Sequence, residues 1–232
     1  ASVVQIDAAP PPVARLADAG CASTGAIEIS DGPHRLIVNC GGAGLEGAWI
    51  PRDLAQGLRT TAAHSTLVLD DCNSTALMPD GTLGRGVTEV ELNRQELDNG
   101  SRVDLSHDGY VRRIGYVHRR LLLVSGDGKE IRGEDMLTPA QRRRKPAKLP
   151  AVLRFHLAPG VEPTLTADNQ GALLRIDMGA LWQFRTGTGI LTVEDSLWVD
   201  GDGRPHPTKQ MGVTSEALPG GSSIGWLFKR VG

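Results

Sequence analysis

Two stretches of the chain carry side chains able to do chemistry. In RTTAAHSTLVLDD, residues 59–71, one imidazole, His64, stands between small residues and an apolar run. A histidine at the mouth of a strand can ligate a metal, move a proton or simply bond to the backbone. The second stretch, SHDGYVRRIGYVHRR at 106–120, gathers His107, Asp108, Tyr110, Tyr116, His118 and four arginines. If residues 110–118 form one strand, Tyr110, Arg112, Ile114, Tyr116 and His118 share a face, because side chains alternate along a strand. Two phenols, an imidazole and a guanidinium on one face suit proton transfer beside an anion. The same set also suits a dense hydrogen-bond network, or a polar outer face with arginine stacked on tyrosine. Arg85 and Glu89, upstream, read as turn and strand-surface groups.

Other chemistries lack their signatures. No GxSxG, P-loop, HExxH or GxGxxG opening a helix is present, which disfavours α/β serine hydrolases, P-loop NTPases and Rossmann oxidoreductases. The three cysteines, Cys21, Cys40 and Cys72, match no zinc-ribbon or CxxC spacing. Their odd number argues against a complete disulfide framework and leaves one bridge plus a free thiol open.

The elements that must position these groups read as strands. Period-2 alternation recurs in GAIEIS at 25–30, PHRLIVNC at 33–40, STLVLD at 65–70 and TEVELNRQEL at 88–97. Asp31-Gly32 and Asp127-Gly128 mark hairpin tips. The second half repeats the pattern in AVLRFHLAPGV, LWQFRTGTGILTVED and SIGWLFKR. With 29 glycines and 14 prolines in 232 residues, turns should be many and long helices scarce. The expectation is an all-β fold, a large antiparallel β-sandwich (supersandwich-like) of many strands with few short helices, as one domain over 1–232. The basic stretch TPAQRRRKPAKLP, residues 138–150, reads as an irregular loop, either solvated or touching an anionic sugar chain. A net charge of −2 gives no general pull toward nucleic acid or membrane, and no apolar run reaches the roughly 20 residues of a membrane span. The start, ASVVQIDAAPPPV, has neither a basic n-region nor an initiator methionine, and fits a mature product or an excised domain alike.

DGPHRLIVNCGG, RTTAAHSTLVLDDCNS, SHDGYVRRIGYVHRRLLLVSGDGKEIRGEDML and VLRFHLAPGV together resemble the C-terminal β-sandwich domain of the heparinase II/III-like family, from about Leu16 to the end. The specific signal is TAAHSTL, HDGY and HRR…GEDML in that order. The resemblance implies a polysaccharide lyase that cuts uronic-acid glycans by β-elimination, with an N-terminal α/α toroid as partner domain and an acidic polysaccharide as substrate. Such a reaction needs a base for the proton beside the uronate carboxylate, a neutralised carboxylate and a proton donor for the leaving oxygen. It therefore implies neutral to basic groups in the cleft, with His64, Tyr110, Tyr116 and His118 as the catalytic candidates. It also implies a zinc ion in the β domain and a periplasmic or cell-envelope location. His64 resembles a zinc-ligating histidine of the family. Asp18, in ADAGC, stands where the family has another histidine, and Asn39, in IVNCGG, where it has an aspartate. Those two changes leave a second reading open, a glycan-binding or interaction domain without catalysis. A third is a cell-surface adhesion module.

Overall fold

The structure is a computed structural model, and it describes residues 2–12, 19–41, 50–140 and 148–231. Asp18 and residues 141–147 of the basic stretch lie outside the described residues. Among the described residues, fifteen strands form two antiparallel sheets, in agreement with the all-β expectation. The first sheet is built from β1 (Ser2–Ile6), β2 (Ile27–Asp31), β3 (His34–Val38), β4 (Leu67–Leu69), β9 (Leu149–Leu157), β13 (Ile190–Val199) and β14 (Pro205–Ala217). Its order is β1-β2-β3-β9-β14-β13, with β4 also on β9. The second sheet holds β5 (Val90–Leu97), β6 (Gly100–His107), β7 (Tyr116–Ser125), β8 (Glu130–Pro139), β10 (Val161–Leu165), β11 (Gly171–Ile176), β12 (Leu181–Thr186) and β15 (Ser222–Val231). Its order is β10-β11-β12-β15-β8-β7-β6-β5.

Alternation explains the layers. β2 and β7 bury every second residue, so each sheet turns one apolar row inward. Ile27, Ile29 and Leu153 from one sheet pack with Leu122, Ile131 and Phe184 from the other in a shared core. Phe155, Phe184, Trp226 and Phe228 stack at 4.9–5.7 Å between ring centroids, in the tilted and edge-on geometries that aromatic quadrupoles favour. The edge strand β5 is charged and almost wholly exposed, which discourages pairing with another chain. Both expected hairpins are present, β2–β3 across Asp31-Gly32 and β7–β8 across Asp127-Gly128. Gly32 at φ 57° and Gly128 at φ 68° supply the left-handed turn residues. The helical content described is α1 (Arg52–Gly57) and a 3₁₀ turn at Thr61–Ala63. No helix among the described residues is long and apolar enough to cross a membrane, and Cys40 and Cys72 are buried free thiols.

The pairing along β9 positions His64 and its neighbours. β3 pairs with β9 only at Ile37–Leu157 and Val38–His156. β4 then takes over the same edge of β9, at Leu153 to Ala151. The segments that follow β3 and precede β4 are thereby pressed together at this handover.

One expectation needs correction. Residues 110–118 are not one strand. Amide N–H groups of Ile114 and Gly115 both donate to the Tyr110 carbonyl, Val111 donates to Asp108, and Gly115 takes φ 99°, so residues 109–115 turn and β7 begins at Tyr116. Tyr110, Tyr116 and His118 point inward, while Arg112 is exposed, so the five residues do not share a face.

Candidate functional site at the strand handover

Ser65 joins the two segments at the handover. Its amide donates to the Asn39 side-chain Oδ1 (2.8 Å), its hydroxyl donates to the Val38 carbonyl (2.7 Å), and the same hydroxyl accepts the His156 amide (2.9 Å). Asn39 in turn donates through Nδ2 to the Glu28 carboxylate at 3.0 Å. His64, one residue before Ser65, is thus fixed beside Asn39. Its Nδ1–H donates to the Thr60 carbonyl at 2.7 Å, which sets the tautomer and leaves Nε2 as a lone-pair nitrogen.

His64 lines a half-open cavity of about 440 Å³ with Asp7, Cys21, Glu28, Asn39 and Trp198. Burial pushes the imidazole's pKa below its ordinary value, against a smaller opposing pull from the Thr60 carbonyl, Asp7 and Glu28. It is a neutral base at neutral pH. The wall around it carries two carboxylates, where a lyase cleft would be neutral to basic. Sequence reading did not find Asp7, Glu28 or Cys21 as cavity residues. Glu28 could have been placed by its outward position in the alternation of GAIEIS, but Asp7, beside the proline-rich stretch, carries no signal.

The zinc expectation can be tested on the donors. Asn39 is engaged at both ends of its amide, by the Ser65 N–H and by Glu28. An asparagine suits this place because an aspartate would face Glu28 as a like charge. No group of three His, Cys, Asp or Glu side chains among the described residues is placed to share a metal ion. Of the two zinc candidates among the described residues, His64 has the neutral, backbone-oriented imidazole that a metal ligand needs, and Asn39 has its amide committed elsewhere. The chemistry open to the cavity is that of one imidazole and two carboxylates.

The other three catalytic candidates lie elsewhere. Tyr110, Tyr116 and His118 are 1%, 0% and 0% exposed, and none lines the His64 cavity. The Tyr110 hydroxyl donates to the Leu67 carbonyl at 2.8 Å, and burial raises its pKa further from proton transfer. Burial likewise raises that of Tyr116. His118 belongs to a sealed chain. The Gly109 amide donates to His107 Nδ1 (3.2 Å), His107 Nε2–H to His118 Nδ1 (3.0 Å), and His118 Nε2–H to Asp135 (2.7 Å). Arg120 and the Trp226 indole complete the carboxylate's partners. Burial alone would raise the pKa of Asp135, but Arg120 and His118 outweigh it and hold the carboxylate well below its usual range. Arg120 also reaches across the core to the carbonyls of Gly25 (2.6 Å) and Ser65 (3.0 Å), tying the second sheet to the handover in the first.

The remaining imidazole at the handover, His156, was not singled out by sequence. Its Nε2–H donates to the Ala62 carbonyl and its Nδ1 meets Ser196 and the Cys40 thiol. Burial lowers its pKa to about 4 and raises that of Cys40 to about 11, so neither is charged at neutral pH.

The arrangement can be set beside known proteins. Over residues 1–227 the chain matches the family model described as heparinase II/III-like, C-terminal. It is 30% identical over 246 residues to FtsZ-localized protein C of Caulobacter vibrioides (strain NA1000 / CB15N), a match that covers 97% of this chain and 40% of that protein. The chain therefore spans well under half the length of this curated relative. Among solved structures, heparan sulfate lyase HepC from Pedobacter heparinus superposes with a TM-score of 0.79 at 14% identity, covering 99% of this chain and 33% of that one. The heparinase III-BT4657 gene product gives 0.73 at 14% identity, with 91% and 30% covered. Identities this low speak to the fold. With nearly every residue inside the family model and two lyase β domains sharing its architecture, this chain belongs to the heparinase II/III-like family, as its C-terminal β-sandwich.

Proposed function

We propose that this chain is a non-catalytic interaction domain of a longer heparinase II/III-like protein, and that any β-elimination on uronic-acid glycans is performed by residues outside it, in an N-terminal α/α toroid. One observation carries this reading. Tyr110, Tyr116 and His118 are buried away from any described cavity, and the fourth candidate, His64, shares its cavity with two carboxylates. A uronate substrate needs its own carboxylate neutralised before the adjacent proton can leave. Asp7 and Glu28 would oppose that charge. The name of the 30% identical relative, FtsZ-localized protein C, describes a place in the cell and agrees with a domain that works by contact.

A second reading, a uronate lyase in which this domain takes part, is favoured by one feature. His64 lines an accessible cavity, and with Nδ1–H committed to Thr60 its Nε2 is unprotonated at neutral pH, as a general base requires. The two readings separate in an assay of the full-length protein for unsaturated uronate product on heparan sulfate, chondroitin sulfate and alginate. The expected result is no product, or product whose rate changes less than about twofold in His64→Ala. A loss of tenfold or more in that variant, with thermal stability retained, would overturn the non-catalytic reading.

A further inference from the structure

Arginines on this sandwich are mostly neutralised where they stand. Arg94 pairs with Glu96, Arg119 with Asp104, Arg132 with Glu130, Arg175 with Glu162 and Arg185 with Asp168. Arg85 and Arg113 differ. Among the described residues, neither side chain makes a hydrogen bond or an ion pair, and both are exposed. They come from separate loops, 70–89 and 108–115, yet line the same cavity of about 910 Å³, together with Arg112. Its one carboxylate, Asp108, is turned to the protein, where it accepts the amides of Thr88 (2.8 Å) and Glu89 (3.0 Å) and the Thr88 hydroxyl. Among the described residues, the Arg85 and Arg113 guanidiniums therefore meet no counter-charge inside the cavity.

The loops that carry them are closely packed. A Cβ on Gly86 would lie 2.2 Å from Thr75 Cα, and one on Gly109 would lie 2.7 Å from the Ser74 carbonyl oxygen. Only glycine permits such contact, so both loops pack backbone to backbone against residues 74–75. Val87 and Val111 add an apolar wall. A cavity of this size matches a small organic molecule, and its lining of guanidiniums over valines matches one that carries several anionic oxygens on a carbon frame.

We propose that the cavity between loops 70–89 and 108–115 binds a small organic polyanion, a di- or tricarboxylate or a phosphate ester, through Arg85 and Arg113. The site is separate from the His64 cavity and does not depend on the reading given above. Titration calorimetry of the full-length protein with citrate and with pyrophosphate tests it, each anion standing for one source of charge. Binding of either is expected, weakened by added salt and reduced at least tenfold in Arg85→Glu/Arg113→Glu. The single variants Arg85→Gln and Arg113→Gln, which disturb folding least, should each lose about threefold. Arg94→Glu/Arg132→Glu, which changes the net charge equally at paired arginines, should leave binding intact. The proposal is overturned if neither anion binds, if both double variants weaken binding alike, or if a heparan sulfate oligosaccharide binds while both small anions are silent.

Discussion

The Asp135 chain and the His64 handover are built from the same residue types and use them differently. In the first, every polar atom of His107, His118 and Asp135 has a partner, and the carboxylate is fully enclosed. In the second, His64 has one nitrogen committed to Thr60 and no hydrogen-bond partner for the other among the described residues, and it lines a cavity together with Asp7 and Glu28. A saturated network fixes a fold, whereas an imidazole with a spare lone pair is available to something outside it. The difference lies in which atoms are left over, not in which residues are present. Arg120 links the two regions, since its guanidinium binds Asp135 on one side and the Ser65 carbonyl on the other.

Breaking the saturated region should cost most. Asp135→Ala leaves Arg120 buried without its counter-charge, and a loss of about 3–5 kcal/mol is expected in denaturant unfolding. A loss below about 1 kcal/mol would mean that the chain of bonds from Gly109 to Asp135 contributes little.

Acid should sharpen the contrast. The histidine His156 has a folded pKa of about 4 against an ordinary 6.5. A depressed histidine pKa stabilises the fold above the unfolded value, and this stability is lost as pH falls from 6.5 toward 4, because only the unfolded chain takes up the proton there. The shift corresponds to about 3 kcal/mol at pH 4. His64 and His107, also pushed down by burial, act in the same direction. Asp135 acts in the same direction at lower pH, since its depressed carboxylate pKa keeps its contribution largely intact until the pH falls below the ordinary 3.8. Unfolding free energies measured from pH 7 to 4 should therefore decline, and His156→Gln should flatten that decline. An equal slope in the variant would count against the buried, neutral state of this ring.

The smallest expected effect belongs to the handover itself. Asn39→Asp sets a second carboxylate 3.0 Å from Glu28, which should cost about 1–2 kcal/mol at neutral pH. The cost should shrink in acid, when the pair can share a proton. A variant as stable as the parent at pH 7 would show that the Glu28–Asn39 bond does not order the cavity.

Alternation and turn residues carried most of the fold. GAIEIS, PHRLIVNC and the Asp-Gly tips were readable because period 2 and positive-φ glycines are local properties. The candidate site was less legible. His118 and Tyr116 do share a face of β7, as the period requires, but period 2 says only which residues lie together and not which side turns inward. Tyr110 was misplaced for another reason, since Gly115 ends the turn and starts the strand later than the apolar pattern suggests. Asp135, fifteen residues beyond Arg120, stood in GEDML without any mark of being its partner.

By itself, then, the amino-acid order determined that strands would form, where their hairpins would turn and which family the chain resembles, because each of these rests on neighbours close along the backbone. The tertiary structure decided that His118 and both tyrosines are enclosed, that His64 meets Asp7 and Glu28, and that Arg85 and Arg113 share a cavity. Those outcomes depend on two sheets closing over one another and on β3 giving way to β4 along β9. They join residues tens of positions apart, and burial and charge pairing are properties of that closure.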